Sequence, residues 1–332
     1  MRHILVLISL LLAFNYVLAQ DTLYFFYANE DSTKVGVRNH KGQVLITPVQ
    51  YFLYVDESKS ITDETIDFEG IRAPFAGVKN SPAIPTGAVY NRNGEFLYSA
   101  QSFDNGMDYW EEGLRRFVEN NKIGFVNRSG EKVIPACWGF ATPFHYGYAT
   151  VFEGNLYRKY DEGGEHWSIA GDTLRYLINQ KGKRVFPSNT KRHPKDYFYE
   201  GKYYPYPFSY SEEETQMLSR FNVDIVGISF LFESNQYRYI YSPVQLEITE
   251  RPNNYRKYHR VTVFDKNQSQ TYNGEIFVDS VNKECYILDY YSNKIPLREA
   301  MMSKLIEILR TDILPETRKI AEQELKRLKS HP

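Results

Sequence analysis

Two carboxylates, Glu69 and Glu112, each stand directly before a glycine, and an acidic pair is the equipment of glycoside hydrolysis. The stretch DEGGEHWSIAGD, at 161–172, offers Asp161, Glu162, Glu165 and Asp172 as hard oxygen ligands of the kind calcium takes. A third stretch, YFYEGKYYPYPFSY at 197–210, crowds rings that could form a platform for a sugar or a peptide side chain. Within it Tyr203, Tyr204, Tyr206 and Phe208 are the candidate ligand-facing aromatics.

Each of these has a plainer reading. Glu69 and Glu112 fall at equivalent places in a repeat described below, which points to a recurring structural hydrogen bond. The acidic stretch has no calcium-loop spacing and reads as a solvated surface loop. The aromatic stretch reads equally as rings capping the end of an array. No His-Glu-x-x-His, Gly-x-Ser-x-Gly, phosphate loop or Gly-x-Gly-x-x-Gly is present. The seven histidines are scattered, so a triad would have to assemble from distant loops. Cys137 and Cys285, the two cysteines, are too few for a cysteine-based zinc site; an exported chain could pair them across a long loop, and the plainer reading is two separate buried thiols. No catalytic, cofactor-binding or metal-ligating residue is therefore assigned, no cofactor is expected, and the balance is against an enzyme.

Stepping from residues to the whole chain, 332 residues are enough for two domains or one elongated array. A content of 42% hydrophobic and 24% charged residues suits a folded chain rather than a disordered one. The 28 Tyr and 21 Phe favour strands, so β structure is expected. Residues 1–19 read as a signal peptide: a basic start at Arg2, an apolar run from Ile4 to Leu12, and Val17-Leu18-Ala19 before a cut at Gln20. Export to the periplasm, cell surface or medium is expected, with no membrane span once the signal is removed; a retained N-terminal anchor is the rival reading. Without Arg2 the chain holds 39 basic against 41 acidic residues, which is no footprint for nucleic acid.

Four stretches of the chain repeat one pattern. KVGVRNHKGQVLITP from Lys34, TGAVYNRNGEFLYSA from Thr86, KIGFVNRSGEKVIP from Lys122 and RYLINQKGKRVFP from Arg175 share one register. Each holds Asn-x-x-Gly, at Asn39 to Gly42, Asn91 to Gly94, Asn127 to Gly130 and Asn179 to Gly182. Two residues before the Asn stands an apolar one: Val37, Val89, Phe125 or Leu177. A small residue precedes it in three copies, Gly36, Ala88 and Gly124, which predicts a close approach of backbones. Asn at the start and Gly at the end of a tight turn predict a β-hairpin, with Pro48, Pro135 and Pro187 ending the second strand. Glu69-Gly70, Glu112-Gly113, Tyr146-Gly147 and Glu200-Gly201 then precede further short strands, 71-IRAPF, 114-LRRFV, 148-YATVF and 202-KYYPY. The turn glycines lie 52, 36 and 52 residues apart, so loops absorb unequal joins.

The segment from Gly113 to Gly154 resembles the WG-repeat family. It matches that family's pattern at Gly124, Phe125, Asn127, Gly130, Val133, Ile134, Pro135, Trp138, Pro143, Phe144, Gly147, Ala149 and Val151. It departs at the naming tryptophan, where Ile123 and Val35 stand. The resemblance runs from Lys34 to Pro187, about half the chain, and implies an exported bacterial β-repeat array with no particular activity.

Past the array, 211-SEEETQMLSRF reads as a short helix or linker. Strands are expected at 223-VDIVGISFLF, 237-YRYIYS, 244-VQLEIT, 260-RVTVF, 275-EIFVDS and 284-ECYILDYY, without the Asn-x-x-Gly register. Pro296 and Pro315 each open a helix with an apolar stripe, suited to packing on that sheet. The expected fold is mainly β: an array of β-hairpin repeats over 20–210, then 211–332 as an antiparallel sheet region with a helix pair at 296–330. The expected function is that of an exported, non-enzymatic binding or scaffold module for protein or glycan in the cell envelope. The alternative is a glycan-directed hydrolase of the envelope with a carboxylate pair.

Overall fold

The computed structural model describes residues 21–51, 53–69, 71, 73–104, 106–232 and 241–330. The signal at 1–19, Gly70 of the first Glu-Gly pair and most of the strand expected at 237–242 lie outside them. Strands make up 41% and helices 16%, with two helices at the C-terminus, so the chain is mainly β as expected.

The repeating unit is a three-stranded antiparallel meander. A leading strand pairs with the first arm of each hairpin. In the first copy the order is Leu23–Tyr27, Lys34–Asn39 and Val44–Gln50. In the second it is Thr65–Phe68, Pro85–Asn91 and Phe96–Phe103. In the third it is Leu114–Glu119, Lys122–Asn127 and Lys132–Trp138. The second and third copies share one sheet through Ser99 opposite Val118 and Ala100 opposite Phe117. The fourth copy is frayed: Tyr148–Gly154 pairs with Thr173–Asn179, but the return run at 183–186 makes only a bridge, Ile178 to Arg184.

Local chemistry explains the hairpins. In all four turns the Asn side-chain oxygen accepts the N–H groups two and four residues on. In the third turn these distances are both 3.0 Å, and Gly130 N donates to Asn127 O at 2.9 Å. Gly130 has φ of +80°, where a side chain is strained. Val37, Val89, Phe125 and Leu177 are all buried. At Gly124 an added Cβ would lie 2.5 Å from the Ile134 carbonyl oxygen, which is the close approach the small residue permits.

Pro135 and Pro48 do something other than end strands. Ile123 pairs with Trp138, yet Phe125 pairs with Ile134, so extra residues including Pro135 bulge out of the ladder. Pro48 likewise lies inside Val44–Gln50. Proline is tolerated there because a bulge demands no ladder donor.

The region past the array corrects two further expectations. The run 71-IRAPF forms no strand in its described residues. The run 223-VDIVGISFLF is helical. Helix α1, Glu212–Arg220, has a capping box from Ser211 and Glu214. Helix α2, Ile225–Leu231, follows after one 3₁₀ turn. A continuous apolar run does not reveal its period, and here tertiary packing chose helix. Helices α3, Leu297–Leu309, and α4, Pro315–Ser330, close the chain, with Pro296 at the cap rather than in the first turn of α3.

The C-terminal sheet is a five-stranded meander of Gln245–Glu250, Tyr258–Phe264, Gln270–Asp279, Cys285–Leu288 and Lys294–Pro296. Leu246, Ile248, Val261, Val263, Ile276 and Val278 pack with Met301, Leu305 and Ile308 of α3 and Ala321 and Leu328 of α4 in one core. The helices thus cover one face of this sheet. Strand alternation sends the intervening residues to the other face, towards the array.

Candidate binding groove at the joint

The joint is built on two acids of one strand. Ile248 pairs with Val261 and Glu250 with Arg260, so two residues oppose one and the strand bulges. The bulge puts Glu247 and Glu250, three apart, on the same array-facing side. Glu247 is fully buried and receives Lys195 Nζ at 2.8 Å, Gln245 Nε2 at 2.6 Å, and the hydroxyls of Tyr206 and Tyr210. Glu250 takes Arg128 Nε at 2.9 Å and Nη2 at 2.7 Å, with Arg260 Nη1 at 3.0 Å. Burial alone would raise the Glu250 pKa, but Arg260 and Arg128 outweigh it and hold it below the ordinary value. Two guanidiniums lie over the Trp110 ring, Arg115 at 4.3 Å and Arg128 at 4.7 Å.

Beside this joint opens a groove of about 340 Å³, lined in part by Glu111, His145, Tyr148, Tyr197, Tyr199 and Gln270. Three of its rings form a column: Tyr148 to Tyr197 at 5.7 Å and 18°, then Tyr197 to Tyr199 at 5.9 Å and 14°. Tyr148 leads the fourth copy, and Tyr197 and Tyr199 come from the short hairpin Tyr197–Tyr199 with Lys202–Tyr204. His145 is fixed by Nε2 against the Gln268 carbonyl at 2.7 Å, and burial lowers its pKa, so it is neutral at pH 7. Burial pushes the Tyr197 hydroxyl up to about 12, so it stays protonated and able to donate. Glu111 is pushed up to about 7, first by burial and then by Glu275, against the pull of Arg260. The groove therefore presents ring faces and edges with hydroxyl, amide and half-ionised carboxyl groups.

Glu112, next in the chain, is pushed up to about 7 by burial but turns to different partners. It accepts Gly147 N at 2.8 Å and Gln180 Nε2 at 3.0 Å. Glu69 in the same way accepts Met107 N at 3.2 Å. Each carboxylate thus clamps a backbone N–H of a later turn, and Glu112, with three hydrogen bonds, is not free to serve as a base.

The four aromatics singled out from sequence are all half-buried. Tyr203 packs on Phe198 at 4.9 Å and its backbone bridges to Ser188. Tyr204 leans on Tyr148 at 5.8 Å. Tyr206 binds Glu247 and stacks on His193 at 4.9 Å. Phe208 meets the edge of Tyr146 at 5.3 Å. They stand around the joint, while their chain neighbours Tyr197 and Tyr199 line the groove. Tyr148 and Glu111 were missed, although they flank the Tyr146-Gly147 and Glu112-Gly113 pairs that the repeat marks out. The acidic stretch 161–172 supplies the turn and the second arm of a hairpin, Tyr157–Tyr160 with Trp167–Ala170. Among the described residues no group of three His, Cys, Asp or Glu side chains is placed to hold a metal. Cys137 and Cys285 are free thiols, and Cys137 is exposed rather than buried because it points outward from an edge strand.

The family described as WG containing repeat matches residues 123–157, from the third hairpin through the leading strand of the fourth copy. No curated protein and no solved structure matches the chain.

Proposed function

We propose that the chain is an exported, non-enzymatic binding module of the bacterial cell envelope, and that its ligand is a glycan held in the tyrosine groove. The observation that carries this reading is the column of Tyr148, Tyr197 and Tyr199 beside Glu111. Sugars combine apolar C–H faces, which pack on rings, with hydroxyls that need convergent hydrogen-bonding groups. The groove supplies both and is neutral apart from Glu111. The repeat match over 123–157 is compatible with a scaffold that presents such a surface. Export is supported by the leader pattern at 1–19, and no helix of the described residues is long and apolar enough to cross a membrane.

The hydrolase reading needs an acid and a second carboxylate free to act as base or nucleophile. Glu111 has the raised pKa of an acid, but Glu112 is consumed by Gly147 and Gln180. A glycan panel probed with the purified chain tests the binding reading, and release of reducing ends from any bound glycan tests hydrolysis. Retention without turnover is expected. Cell fractionation with N-terminal sequencing tests export, with Gln20 expected as the first residue.

A further inference from the structure

A second cavity lies at the opposite side of the C-terminal sheet from the array. It measures about 490 Å³ and lies under α1, where Met217, Arg251 and His259 line it. A smaller cavity of about 210 Å³ lies between α1, the sheet and α3, lined by Phe221, Val278, Cys285, Leu297 and Met301. The two share Met217, Arg220 and Lys283, so they form one trough, with most of its charged residues at the α1 cap end and its apolar wall at the α3 end.

The charges along this trough are unequal in their partners. Glu214 is taken by Arg251 Nε at 2.6 Å, Glu213 by Lys283 at 3.2 Å, and Asp224 by Arg327 at 2.6 Å. Arg220, where the two cavities meet, and Arg298, on the wall of the apolar one, have no ion-pair or hydrogen-bond partner for their guanidiniums among the described residues. Arg220 is exposed and Arg298 half-buried, and the guanidiniums of both stay in contact with water. The Nδ1 atom of His259 is also buried without a partner. The trough thus offers two uncompensated positive groups at the mouth of an apolar pocket. Its carboxylates are already neutralised, so they do not repel an incoming anion.

We propose that this trough binds a single-chain amphiphile with an anionic head group, the chain lying against Phe221, Val278, Leu297 and Met301 and the head against Arg220 and Arg298. The site is separate from the tyrosine groove, and it stands or falls without the glycan reading. A carboxylate and a phosphate share the required chemistry, since both accept the planar donor fork of arginine.

The test is calorimetric titration of the purified full chain with decanoate, decyl phosphate, decyltrimethylammonium and a neutral decyl glycoside. Binding of decanoate or decyl phosphate, whichever is tighter naming the head group, is expected, with the cationic and neutral compounds at least tenfold weaker. The double variant Arg220→Ala with Arg298→Ala should lose at least tenfold in affinity, while lysine at both positions should restore part of it. An independent readout needs no variant. Cys285 lines the apolar end whereas Cys137 is exposed elsewhere, so the bound anion should slow maleimide labelling of Cys285 and leave Cys137 unchanged. Equal binding of all four compounds, absence of binding by both anions, or unprotected Cys285 at saturating anion would overturn the proposal.

Discussion

Arg128, the second residue of the third Asn-x-x-Gly turn, grips Glu250 of the C-terminal sheet with two hydrogen bonds, 2.9 Å from Nε and 2.7 Å from Nη2. The next turn residue, Ser129, bonds Glu64, which also takes Asn253 Nδ2 at 2.6 Å. A hairpin whose Asn and Gly are explained by turn geometry thus uses its two free positions to tie the array to the region beyond it. The same pattern recurs three residues earlier on that strand, where Glu247 collects Lys195, Tyr206 and Tyr210.

Removing the acid of this clamp should be severe. Glu250→Ala leaves the largely buried Arg128 without a carboxylate partner, while Arg260 keeps Glu275 at 3.1 Å and Arg256 keeps Glu64 at 3.3 Å. A cost of about 3–5 kcal/mol is expected in urea unfolding, the range for breaking a buried pair from one side. A loss under about 1 kcal/mol would show that the Arg128 guanidinium is solvated in the folded protein.

The turn glycines should differ in sensitivity. Gly42 and Gly130 share the same backbone, with φ of +83° and +80°. A Cβ at Gly42 meets nothing within 4 Å, whereas at Gly130 it falls 2.4 Å from Leu97 Cδ1. Gly42→Ala should therefore cost about 1 kcal/mol, from the left-handed backbone alone. Gly130→Ala should cost more, because the neighbouring copy must shift to admit the methyl group. Equal midpoints in thermal unfolding would contradict this.

Stability should fall as pH rises between about 4.5 and 7, in part because of Glu112. Its folded pKa is about 7 against an ordinary 4.5. In that window the folded state holds a proton that the unfolded chain has lost, so rising pH favours unfolding. Glu111, also raised to about 7, acts in the same direction. Glu112→Gln keeps an acceptor for Gly147 N and removes the titration. Its unfolding midpoint should vary less between pH 5 and pH 8 than that of the parent, with most of the gain at pH 8. Parallel profiles for the two proteins would refute the assignment.

The hairpins could be read in advance because Asn-x-x-Gly acts within five residues. The side-chain bond of Asn127 and the positive φ of Gly130 need no tertiary context. Two further hairpins went unread although they use the same turn. Asp265 and Asp289 accept the N–H groups two and four residues on, as the Asn residues do. At the glycine position stand Gln268, with φ of +64°, and Ser292, with φ of +63°. Packing of the sheet tolerates that strain, and the motif disappears from view while its geometry persists. Helix α2 was misread because an unbroken apolar run shows no period. The groove was hidden for another reason. Glu111, Tyr148, Tyr197 and Gln270 meet only when the fourth copy docks on the C-terminal sheet, and no local spacing records that.

Glycan binding on the tyrosine column is decided by titrating the purified chain with the tightest glycan of a panel, alongside Tyr199→Ala and Tyr290→Ala. Tyr199 is the groove-lining end of the column, and Tyr290 is 94% exposed on a different hairpin. Binding about tenfold weaker is expected for Tyr199→Ala, roughly 1.4 kcal/mol, with no change for Tyr290→Ala. Equal affinity of all three proteins, or no glycan bound by the parent chain, would contradict binding at this column.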